Sequence, residues 1–85
     1  MEYIIVAFRS RTHTVAFSEN LNKRRISNEI VNTPKEAGVG CGLSVKIASG
    51  SFARVKQLTF ALGYNSFAGF FSVKNFAGKR VVRSI

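Results

Sequence analysis

A chain of 85 residues has room for one small domain built as a layer of helices on a sheet. Its 46% hydrophobic content excludes a disordered chain, and the lack of any run of about 18 apolar residues excludes a membrane-spanning helix. Thirteen Lys and Arg against four Glu give a net charge of +9, which suits nucleic acid, an acidic protein partner, or plain solvation. The basic residues are spread along the chain, and this favours solvation or partner docking over nucleic acid.

Tyr3–Phe8 (YIIVAF) is apolar without alternation, the pattern of a central strand covered on both faces. Ser10 then offers a helix N-cap. Residues 11–25 read as a helix, with Thr14, Phe17 and Leu21 on one stripe and Ile26 just beyond. Lys23, Arg24 and Arg25 fall where they complement the negative end of that helix. Asn28–Thr33 reads as a second strand closed by Pro34, and Pro34–Gly42 as a glycine-containing loop. Leu43, Val45 and Ile47 alternate with Ser44 and Lys46, as in a strand with one buried face. Gly50-Ser51 is expected to open a second helix with Phe52, Val55, Leu58 and Leu62 inward and Gly63 as its C-cap. Phe67–Lys74 reads as a fourth, aromatic strand, with Phe67, Phe71 and Val73 expected under the helices. Residues 75–85 read as a basic C-terminal extension or a short extra strand.

The order β-α-β-β-α-β predicts an α+β, ferredoxin-like sandwich over residues 1–74, with a four-stranded antiparallel sheet and two helices on one face. This topology gathers the Arg9–Arg11 turn, the start of the first helix, the Pro34–Gly42 loop and the Gly63–Ser66 turn at one end. Edge strands two and four are then free to pair with another copy.

Cys41, the sole cysteine, stands between Gly40 and Gly42. Flanking residues without side chains leave a thiol open to approach, whereas a thiol that only fills a core is usually surrounded by bulk. The topology sets Cys41 near Arg9, Arg11 or Lys35 and a positive helix end, surroundings that favour thiolate. A single cysteine forms no internal disulfide and suits a reducing cytosol, so a cytoplasmic location is expected. Met1-Glu2-Tyr3 lacks the basic region of a secretory signal. His13 has no carboxylate or cysteine cluster around it in the sequence, so no metal site is predicted. Gly69–Phe76 loosely matches the aromatic motif of RNA-recognition domains, but it lacks the basic residue before the glycine and falls on the wrong strand.

Phe8-Arg9-Ser10-Arg11-Thr12, Asn32-Thr33-Pro34-Lys35-Glu36 and Gly40-Cys41-Gly42-Leu43-Ser44-Val45-Lys46 together resemble the selenium/sulfur carrier protein-like family, also called the domain-of-unknown-function 3343 family. The resemblance spans residues 3–74. It implies a small cytosolic protein that holds activated chalcogen on Cys41, with Thr33, Pro34 and Lys35 shaping the loop and Arg9, Ser10 and Arg11 lining the facing turn. It also implies a donor such as a cysteine desulfurase-like enzyme, an acceptor protein, and no bound cofactor because the cargo is covalent. With no acid/base constellation legible, a carrier is expected rather than an enzyme. The alternative is a small basic module that binds nucleic acid or another protein.

Overall fold

The computed structural model describes residues 2–39 and 42–85. Strand β1 (Glu2–Phe8) is followed by α1 (Arg11–Lys23), β2 (Glu29–Asn32), β3 (Leu43–Ala48), α2 (Phe52–Leu62), β4 (Phe67–Phe76) and β5 (Lys79–Ser84). The five strands form one sheet in the order β2-β3-β1-β4-β5, and every neighbouring pair is antiparallel. The fold is α+β, but the sheet has five strands where the sequence suggested four. The addition, β5, covers β4 with a register from Phe71↔Ser84 to Phe76↔Lys79, so β4 is an inner strand and not an edge.

The unbroken apolar run of β1 is explained by its central position. Ile4, Val6 and Phe8 face the helices and pack with Phe17, Leu21, Val45, Ile47, Val55 and Phe70. Ile5 and Ala7 face the other way and form a second buried cluster with Phe71 and Val73. Phe71 and Val73 are therefore not under the helices. In strand β4 Phe67 and Phe70 belong to the helix side, while Phe71 and Val73 line the back of the sheet. A bulge between Ala7 and Phe8 shifts the β1–β4 register beside Gly69, whose φ of +143° is open to glycine but rarely to other residues.

Each helix is fixed at its ends by local chemistry. Ser10 caps α1 by accepting a hydrogen bond from the His13 N–H at 3.2 Å. At the other end the Ile26 N–H bonds the Leu21 carbonyl at 2.9 Å and the Arg25 N–H bonds Asn22 at 3.0 Å. This is a Schellman motif, sealed by the apolar pair Leu21 and Ile26 in the core. The left-handed position, φ +58°, is held by Arg25 rather than glycine. Gly50-Ser51, expected to open the second helix, lie in a 3-10 turn over Ser49–Ser51, and the α-helix itself starts at Phe52. It ends at Gly63 in the left-handed region, φ +63°, whose N–H bonds Thr59 O.

Because Arg25 pays a steric cost that glycine avoids, Arg25→Gly is expected to stabilise the fold by about 0.5–1 kcal/mol, and Arg25→Val to destabilise it. Thermal unfolding of the two variants beside the wild type checks the sign.

Candidate functional site

The residues singled out in the sequence fall into two groups, one on each side of the point where β3 begins. The first group follows β1. Its chain leaves the sheet at Arg9, whose N–H bonds the Ser66 carbonyl at 2.8 Å, tying the start of α1 to the α2–β4 turn. The Ser10 carbonyl accepts from both the N–H and the hydroxyl of Thr14, each at 3.0 Å. The fully buried Thr14 hydroxyl also faces the Leu43 carbonyl at 3.5 Å, which brings the first turn of α1 against the start of β3. His13 stacks on Tyr64 at 4.8 Å between ring centres, and its Nδ1 lies 2.6 Å from Ser66 Oγ. The Arg9 and Arg11 side chains are exposed, with no ion pair or hydrogen bond among the described residues. Cations at the start of a helix oppose its dipole, so an anion nearby is favoured.

The second group follows β2. The Thr33 N–H bonds the Gly42 carbonyl at 2.9 Å and closes the loop at its neck. The Thr33 hydroxyl lies 2.7 Å from that of the fully buried Ser44. Pro34 is buried and starts a 3-10 turn over Lys35–Ala37, which ends at Gly38 with φ +68°. A side chain at Gly38 would be strained; Gly42 has no positive φ and open space around it, so its backbone does not require glycine. Lys35 is exposed. Gly40 and Cys41 lie outside the described residues.

The loop crosses the back of the sheet. Ala37 and Val39 pack against the cluster of Ile5, Ala7, Phe71 and Val73. Glu36 reaches β5, where Arg80 holds it in a fork: Nε to Oε2 at 3.1 Å and Nη2 to Oε1 at 2.9 Å. The hydrogen bond from Arg80, with a smaller contribution from the Glu36 backbone, holds the Glu36 carboxyl below its ordinary range, and Glu36 in turn raises Arg80. Sequence reading missed this clamp. Its partners are 44 residues apart, and no local pattern joins a loop glutamate to an arginine in what reads as a tail. Thus Thr14, in the first turn of α1, meets β3 at Leu43, and Thr33 meets it at Ser44; Arg9 is tied instead to Ser66.

A small α+β protein with a tethered loop leading into its third strand is the class these features define. The family model described as "Putative Se/S carrier protein-like" matches residues 2–63, and the chain belongs to that family. The match runs from β1 to the cap of α2 and includes Cys41 in sequence; β4 and β5 lie beyond it. Searches of curated proteins and of solved structures found no match.

Removing the clamp loosens the loop. In Arg80→Ala, amide-exchange protection at Ala37 and Gly38 is expected to fall roughly two- to five-fold at neutral pH, the range of a surface ion pair. Glu36 titrates below its ordinary 4.5, so the clamp is complete above that value and is lost as pH falls through the lower folded one. The difference between wild type and variant therefore vanishes in acid, and high salt narrows it.

Proposed function

We propose that the protein carries sulfur or selenium on the Cys41 thiol and passes it to a partner enzyme. The observation that carries this reading is the family match, which runs through the single cysteine of the chain. Three features support it. The loop in whose sequence Cys41 stands is closed at its neck by Thr33 and Gly42. The segment leaving it at Leu43 meets the first turn of α1, whose N-terminal end favours an anion. Arg9 and Arg11 flank that helix start with charge that has no ion pair among the described residues. In this reading Arg9, Ser10, Arg11 and the helix end favour the thiolate, and Thr33, Pro34, Lys35, Gly40 and Gly42 shape the loop.

Loading is an exchange without net redox change. The Cys41 thiolate attacks the outer sulfur of a donor persulfide, R–S–SH; the S–S bond of the donor breaks, and R–S⁻ leaves with its electron pair. Cys41–S–SH forms, and an acceptor nucleophile removes the outer sulfur in the same way, returning the thiolate. Selenium follows the same course from a donor R–S–SeH. The donor is a persulfide-bearing protein of the cysteine desulfurase-like kind, and no resident cofactor is required. A free thiol with this role belongs in a reducing compartment, the cytosol. The chain order is read as a ferredoxin-like sandwich, with β5 added beside β4.

Incubation with a desulfurase and cysteine, or with a donor of the R–S–SeH kind, should add about 32 or about 79 mass units to the intact protein. Cys41→Ser should abolish the gain, and a reductant should reverse it. Absence of an adduct from every sulfur and selenium donor overturns the carrier reading.

A further inference from the structure

Two helices do not cover a five-stranded sheet. A strand occupies roughly 4.8 Å of sheet width and a packed helix roughly 10 Å, so α1 and α2 together roof about four strands. The helix side of β5 and the outer part of β4 are left over. The alternation along the register sets Ile85, Arg83, Val81 and Lys79 on that side, beside Phe70, Ser72, Lys74 and Phe76 of β4.

What lies there is unlike an ordinary solvated strand. Phe76 is 76% exposed, Ile85 53% and Val81 39%. Phe60, at 63%, borders the same strip from α2 through ring contacts to Phe67 and Phe70. Among the described residues, four of the six exposed large hydrophobics thus line one ledge. Its charges are mainly positive, with Glu2 the one acidic residue bordering it among the described residues. Lys74 pairs with Glu2 at 3.7 Å, whereas Lys79 and Arg83 have no side-chain partner among the described residues. Phe76, Val81, Lys74, Arg83 and Glu2 also border a cleft of about 460 Å³.

We propose that this ledge of β4 and β5 docks an acidic amphipathic helix of a partner protein, which completes the helix layer beside α2. A helix fits the missing width of the layer, its apolar stripe meets Phe76, Val81 and Ile85, and its carboxylates meet Lys79 and Arg83. The site is independent of Cys41 and of the carrier reading.

The test uses the full chain and a synthetic amphipathic peptide of about 18 residues, Leu on one face and Glu on the other. Fluorescence anisotropy at low salt should detect binding, and the same peptide with Lys for Glu should bind about ten-fold more weakly or not at all. Arg83→Glu and Phe76→Ser should each weaken the acidic peptide by about ten-fold, and Cys41→Ser should not change it. Amide shifts on titration should concentrate on residues 72–85. Phe76 is exposed enough that its replacement leaves the fold intact, which thermal unfolding verifies. The proposal is overturned by absence of binding, by binding insensitive to Phe76→Ser, by tighter binding of a single-stranded uridine oligomer, or by self-association that Phe76→Ser removes.

Discussion

The architecture depends on the fact that β1 has no polar side. Residues Ile4 to Phe8 are all buried, so each face of the central strand must be roofed. Helices α1 and α2 roof one face with an ordinary core centred on Phe8, Phe17 and Leu21. The chain has no helix left for the other face. A loop and the edge strand β5 help to cover it instead, through Ala37 and Val39 of the loop and Val82 of the strand. The loop that contains Cys41 in its sequence is thereby also a structural lid on a second core. Its conformation is tied to the packing of Ile5 and Phe71 as much as to any chemistry.

Much of the helix side was legible in the sequence because its signals are local. The Ser10 cap, the Thr14–Phe17–Leu21 stripe and the Gly63 cap each depend on residues within a turn or two of one another. The back face was not legible, for the same reason. Phe71 and Val73 alternate with Ser72 and Lys74, so the pattern marks one apolar face of the strand without saying on which side of the sheet the helices lie. Residues 75–85 read equally as a basic extension or a short extra strand, because the pairing of β5 with β4 is specified by the two-residue Ala77-Gly78 turn. There φ is positive at both residues, and alanine occupies a place usually filled by asparagine or aspartate.

The candidate residues show the same division. Ser10 announced itself as a cap, and Thr33 and Pro34 as the end of a strand, and each has that local role. The pairings between segments were out of reach: Thr14 with Leu43, Thr33 with Ser44, Glu36 with Arg80. Of the described loop glycines Gly38 is the one whose left-handed backbone needs glycine, and Gly42 is not. Whether a glycine is required follows from φ, and φ at a loop residue is set by what the loop packs against.

The distance along the chain between Glu36 and Arg80 has a consequence for biosynthesis. The glutamate emerges from the ribosome 44 residues before the arginine that holds it. At roughly 5–20 residues per second the nascent loop spends about 2–9 s without its anchor. Over that interval Glu36 and the Lys35–Ala37 turn lack this clamp, which can form only once Arg80 of β5 has been translated.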